Sequence, residues 1–170
     1  MKRVLLIENE VDAINQLQPI LEQSGYQVII ATEGMAGLRK AYHEGPDLII
    51  LEKVLPHFNG YQICALLRRD IRYSDTPVIM LSTCASDKLE DYDGGRPDFI
   101  FQKPLNTVDF LTKIEELLVK QEARKEELHQ QMIEKDARWM KEHYVPGLGS
   151  ENILSAIESK VPEDLTSKVT

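Results

Sequence analysis

Positive charge is in short supply in this chain. Twenty lysines and arginines face 28 aspartates and glutamates, for a formal net charge of -8. An acidic chain repels phosphate backbones, so no direct nucleic-acid binding is expected. Cysteine is scarcer still. Cys64 and Cys84 are the only two, without CxxC spacing; they exclude a disulfide framework, fit a reducing cytoplasm and are expected to be small core residues. Long hydrophobic runs are missing too. Val4–Ile7 stops at Glu8, too short for the apolar region of a signal peptide, and no stretch approaches a membrane span. There is no glycine-rich phosphate loop, no Ser-His-Asp arrangement, no repeat and no low-complexity tract. His43, His57, His129 and His143 have no ligand spacing with the cysteines and are expected at the surface. The chain is therefore read as non-enzymatic and without a cofactor.

What is present is a regular alternation. The 170 residues, 42% of them hydrophobic, support one globular core plus an appendage. Val4–Ile7, Val28–Ile30, Leu48–Leu51, Pro77–Leu81 and Phe99–Phe101 are short apolar runs that suit strands buried on both faces. Between them, Val11–Ser24, Gly34–His43 and Gly60–Asp70 carry apolar residues at helical spacing, with Gly25 and Gly45-Pro46 as stops. Strands alternating with helices through short loops imply right-handed crossovers and a parallel sheet covered on both sides. The fold class is thus α/β, with five strands in a parallel sheet covered on both faces. In such sheets the chemistry sits beyond the carboxyl ends of the strands. Those ends carry Glu8-Asn9-Glu10, Glu52, Ser82-Thr83 and Lys103-Pro104.

From Asn106 the pattern changes. Asn106 or Thr107 is placed to cap a helix. Leu111, Ile114, Leu118, Leu128, Met132 and Trp139 keep one heptad register, with Gln121, Lys125 and Lys135 at the seam between. No Pro or Gly interrupts until Pro146-Gly147, so one helix is expected over about 107–143. The organisation expected is a body over 1–120, a projecting helix and candidate coiled coil over 121–145, and a short helix with a flexible tail over 146–170. Leu128, Met132, Ile133, Trp139 and Met140 are the candidate partner-binding residues, for a second copy or another helical protein.

The strand-end motifs, in order and correctly spaced, resemble those of bacterial response regulator receiver domains. Leu6-Ile7-Glu8-Asn9-Glu10 matches the acidic first motif, which in the family helps to bind Mg²⁺. Asp47 through Pro56, followed by Asn59-Gly60, matches the motif around the phosphate-accepting Asp. Pro77 through Ser82 and Lys103-Pro104 match the last two. The resemblance covers about the first 120 residues. It implies a doubly wound, flavodoxin-like five-stranded fold, a two-component signalling or phosphorelay pathway, a regulatory protein as partner and a cytoplasmic location.

The departures from the family pattern lie at the same site. Glu52 stands where the acceptor Asp is usual, and the acidic pair is Glu8-Asn9. Glu8, Asn9, Glu10, Glu52, Ser82 and Lys103 therefore form the expected degenerate acceptor cluster. No metal site is expected, with Glu8, Glu10 and Glu52 as weak Mg²⁺ candidates. Glu52 either imitates phospho-aspartate in part or simply keeps Lys103 paired. Asp87–Pro97, where the family places its fourth helix, has few apolar residues and strong breakers. The family's aromatic switch position falls on Ile100, and a one-residue shift would substitute Phe99 or Phe101. The leading expectation is a pseudo-receiver that signals by protein–protein interaction without phosphorylation. The alternatives are a phosphoryl-accepting regulator with a retuned site, for which Asp12 and Asp47 are the remaining aspartates considered, and a structural cap on a coiled-coil assembly.

Overall fold

Five apolar runs become five parallel strands in the computed structural model, which describes residues 1–84 and 95–142. In chain order they are β1 (Arg3–Ile7), β2 (Gln27–Ala31), β3 (Leu48–Glu52), β4 (Val78–Ser82) and β5 (Phe99–Gln102). The helices are α1 (Val11–Gln23), α2 (Gly34–Glu44), α3 (Gly60–Arg69) and α4 (Thr107–Glu142). The sheet order is β2-β1-β3-β4-β5, all parallel. The chain leaves β1 for one side and returns to β3 on the other, which opens a crevice at the carboxyl ends of these two strands.

Side chains of a strand alternate between the two faces of the sheet. Here that alternation builds two cores. Leu5, Ile7, Ile49, Leu51, Val78 and Met80 meet Leu38, Ala41, Ile63 and Leu67 of α2 and α3. Val4, Leu6, Leu48, Ile50, Ile79 and Leu81 meet Leu17 and Leu21 of α1 and Phe110, Ile114 and Leu118 of α4. Both faces are dry, so β1, β3 and β4 are continuous apolar runs rather than alternating ones. Truncating one of these leucines or isoleucines to alanine is expected to cost about 2–5 kcal/mol.

β5 is the edge strand, and its register pairs Ser82 with Gln102. Phe99 and Phe101 pack on the α1/α4 side, where Phe101 stacks edge-on against Phe110 at 5.3 Å. Ile100, three before Lys103, faces the opposite side of the sheet from both phenylalanines.

The two cysteines part company. Cys64 is buried in α3, and burial pushes its thiol up to about 11. Cys84 is exposed, against the expectation of a core residue, because it lies past the end of β4. His43, His57 and His129 are exposed. α4 is a single helix of 36 residues, about 54 Å long. The Asn106 side chain caps it, accepting from the backbone N–H of Val108 at 2.9 Å and of Asp109 at 3.2 Å. The chain divides into two units, Met1–Glu122 and Ala123–Thr170. Most of the breaker-rich Asp87–Pro97 segment, His143 and the 146–170 segment lie outside the described residues.

Candidate functional site

Glu8 follows β1 directly and is fully buried. One carboxylate oxygen accepts the backbone N–H of Glu10 at 3.0 Å, and the other meets the Lys103 Nζ at 2.9 Å. Glu52, the last residue of the neighbouring strand β3, is also buried. Its Oε1 accepts the Val54 N–H at 3.0 Å. Its Oε2 lies 2.5 Å from the same ammonium, as a close ion pair rather than an aligned hydrogen bond. Lys103 comes from the residue after β5, held in register by its N–H donating to the Ser82 carbonyl at 2.8 Å. One cation thus joins the ends of three strands.

Burial disfavours the charged lysine, but the close contacts and negative charges of Glu52 and Glu8 outweigh it. The Lys103 pKa is held above its ordinary value. Ser82 is fully buried, and its Oγ accepts the Cys84 N–H at 3.0 Å, which ties the chain leaving β4 back to the strand end.

The structure brings Glu8, Glu52 and Lys103 into contact, with Ser82 on the adjoining strand end. It leaves the side chains of Asn9 and Glu10 exposed; Glu10 precedes α1 in extended backbone and makes no side-chain cap. The two other aspartates are elsewhere. Asp47 precedes β3 at the amino end of the sheet, where it accepts the Arg3 N–H at 2.8 Å. Asp12 is exposed in the first turn of α1. A cavity of about 290 Å³ lies between α1 and the start of α4, lined among others by Glu10, Asp12, Lys103 and Phe110.

Gly60 has a role that its motif alone does not reveal. A Cβ there would stand 2.6 Å from the Glu52 carbonyl oxygen, so only glycine lets the start of α3 approach the end of β3. The Asn59 side chain accepts the Gln62 N–H while the Gln62 side chain accepts the Asn59 N–H, a capping box that fixes where α3 begins.

Mg²⁺, which the family resemblance implies, asks for oxygen ligands in near-octahedral array. Here two carboxylates enter the cluster, and all four of their oxygens already have partners. Position 9 offers an exposed amide. Among the described residues no group of three or more His, Cys, Asp or Glu is arranged to hold a metal. As arranged, these residues do not fit Mg²⁺.

The candidate partner-binding residues all lie on α4 beyond Glu122. Leu128, Met132 and Trp139 are 46%, 64% and 58% exposed, and their spacing puts them on one stripe. Ile133 and Met140, half-buried, form a second stripe about 100° round the helix. The five residues therefore do not make a single seam.

Residues 4–115 match the family model of the response regulator receiver domain. The chain is similar to the DNA-binding dual master transcriptional regulator RpaA of Synechocystis sp., with 38% identity over 121 residues, 69% of this chain and 49% of that protein. It is similar to the alkaline phosphatase synthesis transcriptional regulatory protein PhoP of Bacillus subtilis, with 30% identity over 152 residues, 84% of this chain and 62% of that protein. It thus spans only about half to three-fifths of the curated relatives' length. Its fold is similar to that of a CheY-like receiver domain protein from Methanospirillum hungatei, with a TM-score of 0.66 and 29% identity, covering 73% of this chain and 98% of that one. With the 2-1-3-4-5 parallel sheet and the strand-end motifs in place, this chain belongs to the response regulator receiver domain family.

Proposed function

We propose that this receiver signals without accepting a phosphoryl group, through protein–protein contact in a two-component-type pathway. The observation that carries the reading is Glu52: buried at the end of β3 and 2.5 Å from the Lys103 ammonium. An acceptor carboxylate has to present a lone pair to phosphorus with a cation neutralising the incoming phosphate. Among the described residues the cation of the cluster is the Lys103 ammonium, and it already holds the carboxylate. Glu52 supplies part of what phosphate would bring, one negative charge against about two, and Lys103 is paired to it without any donor. The state of the domain is then set by sequence, and a partner shifts it by binding one conformation better.

In this reading residues 1–120 are the receiver-like body that docks a regulatory protein. The helix over 121–145 presents the Leu128, Met132 and Trp139 stripe to a second copy or another helical protein, and 146–170 is accessory. The named relatives are transcriptional regulators, one of them DNA-binding, but the part matched here is the receiver. Direct contact with DNA is not assigned to it, and the cytoplasm is its proposed location.

The test is amide NMR of the purified protein with acetyl phosphate and Mg²⁺. Signals of Glu52, Ser82 and Lys103 are expected to stay in place. Saturable shifts centred on them would overturn the reading. The exposed apolar stripe of α4 favours one competitor, the structural cap. It requires that truncation after Lys120 abolish function while Glu52→Ala leaves function intact; substitutions on the surface of the body that also impair function sink it.

A further inference from the structure

Glu8 and Glu52 come from neighbouring strands, and each gives one carboxylate oxygen to the same ammonium, at 2.9 and 2.5 Å. Backbone N–H groups of Glu10 and Val54 hold the other two oxygens. Bridging two buried carboxylates at a strand crevice is work suited to a divalent ion, which would bring two charges and its own water. Lys103 does it with one charge on a tether, supplied by the chain itself rather than from solution. Two carboxylates and one ammonium leave the cluster a single negative charge. A divalent ion entering it would lie against the ammonium or have to expel it. The residue next to Glu8, which could have supplied the missing charge, is the exposed amide Asn9.

We propose that the Lys103 ammonium is the resident cation of this site, bridging Glu8 and Glu52 in place of a divalent ion, and that the site is closed to Mg²⁺ by one unit of charge. The inference rests on the reading of a receiver that takes no phosphoryl group, and it names the group that does the closing. Two substitutions open the site by that count. Lys103→Met removes the ammonium and keeps an unbranched chain of similar reach. Asn9→Asp adds a carboxylate beside Glu8 at an exposed position. Each leaves the cluster two negative charges.

The experiment titrates the full chain with Mn²⁺ and follows the free-ion signal by electron paramagnetic resonance, with no phosphodonor present. The wild type is expected to show no saturable binding up to about 10 mM, whereas the variants bind at least about tenfold below that limit, in the range of weak protein sites. Adding Glu52→Gln to either variant abolishes the gain. Thermal unfolding gives a second readout, since Mn²⁺ raises the midpoint only of proteins whose folded state binds it. Should Lys103→Met not fold, Asn9→Asp decides alone. Saturable millimolar binding by the wild type, or no gain in the folded variants, overturns the proposal. Its failure is distinct from that of the functional reading: Mn²⁺ bound by a wild type that acetyl phosphate does not label removes only the resident-cation claim, while labelling of the wild type removes the functional one.

Discussion

Lys103 gives up most of its hydration when its side chain, 19% exposed, settles between Glu8 and Glu52. The two carboxylates more than compensate, so its pKa is higher folded than unfolded. The sign of the pH effect follows. A raised lysine pKa contributes stability that is fully present below the ordinary value of 10.5 and is lost as pH rises through the higher folded value. Urea unfolding of the wild type and Lys103→Met should therefore show a gap that holds up to about pH 9 and narrows as pH rises past the ordinary value of 10.5; a gap that opens instead under acid would contradict this assignment. Glu52→Gln removes one partner but leaves Glu8, so its cost should be roughly 1–3 kcal/mol, below the 3–5 of a fully broken buried pair. His57 presents a different residue-scale feature. Its φ is 68°, and the Phe58 N–H donates across it to the Pro56 carbonyl at 2.8 Å. That is a three-residue turn in which a side chain is strained. The left-handed region costs a non-glycine residue about 1–2 kcal/mol, and glycine's extra unfolded-state freedom returns part of that. His57→Gly is thus expected to stabilise by about 0.5–1 kcal/mol, read from the denaturant midpoint.

At the scale of elements, Arg68 of α3 ties together parts of the chain that no local pattern connects. Its guanidinium donates to the carbonyls of Tyr73, Ser74 and Thr76 at 3.1, 3.3 and 2.7 Å, and its Nε to that of Arg96 at 3.2 Å. It also pairs with Asp98 at 2.6 Å, and the same Asp98 oxygen accepts the Val78 N–H at 2.7 Å. The connection from α3 to β4 and the start of β5 share this one fork. Arg68→Ala should cost about 2–4 kcal/mol through several orphaned carbonyls. Arg68→Lys should recover little of it, because an ammonium lacks the planar fork. Asp98→Asn keeps an acceptor for Val78, and the Asp98 side chain is 42% exposed, so its cost should stay within about 1 kcal/mol. Equal losses for Arg68→Ala and Asp98→Asn in equilibrium unfolding would mean that the ion pair, not the carbonyls, matters. This network also shows where sequence reading stops. The apolar runs of β1, β3 and β4 were legible because burial on both faces leaves a continuous signal. Gly25 and Gly45 were legible as helix stops, and Glu8, Glu52 and Lys103 as strand-end residues. Arg68 was not, since its partners are mostly carbonyls, which have no sequence signature, and Asp98 lies 30 residues away. The motif around Glu8 gave Asn9 and Glu10 equal standing with it, yet only the residue adjoining the strand points inward. Cys84 was misplaced because an apolar neighbourhood in sequence does not say where β4 ends.

For the whole molecule, the question is how much of α4 the receiver needs. Phe110, Ile114 and Leu118 fill the core between α4 and the sheet, and Gln121, also buried, donates to the Asp75 carbonyl at 3.2 Å. Glu122 pairs with Lys2, the residue before β1. After Gln121 no described residue is buried, and the two units divide between Glu122 and Ala123. A chain ending at Glu122 therefore loses no described core contact. It should unfold cooperatively, with a free energy within about 1 kcal/mol of the full chain, the spread of surface changes. A chain ending at Asn106 loses three core side chains worth about 2–5 kcal/mol each. Their sum rivals the 5–15 kcal/mol of a typical domain, so that chain should not fold, and circular dichroism would show no cooperative transition. If the longer truncate also fails, the helix beyond Glu122 supports the fold as well as presenting an apolar stripe, and the structural-cap reading gains. If it folds and leaves Glu52, Ser82 and Lys103 with unchanged amide shifts, the site belongs to the receiver alone. Any self-association that disappears with residues 123–170 is then a property of the second unit, separable by this cut from the chemistry at Lys103.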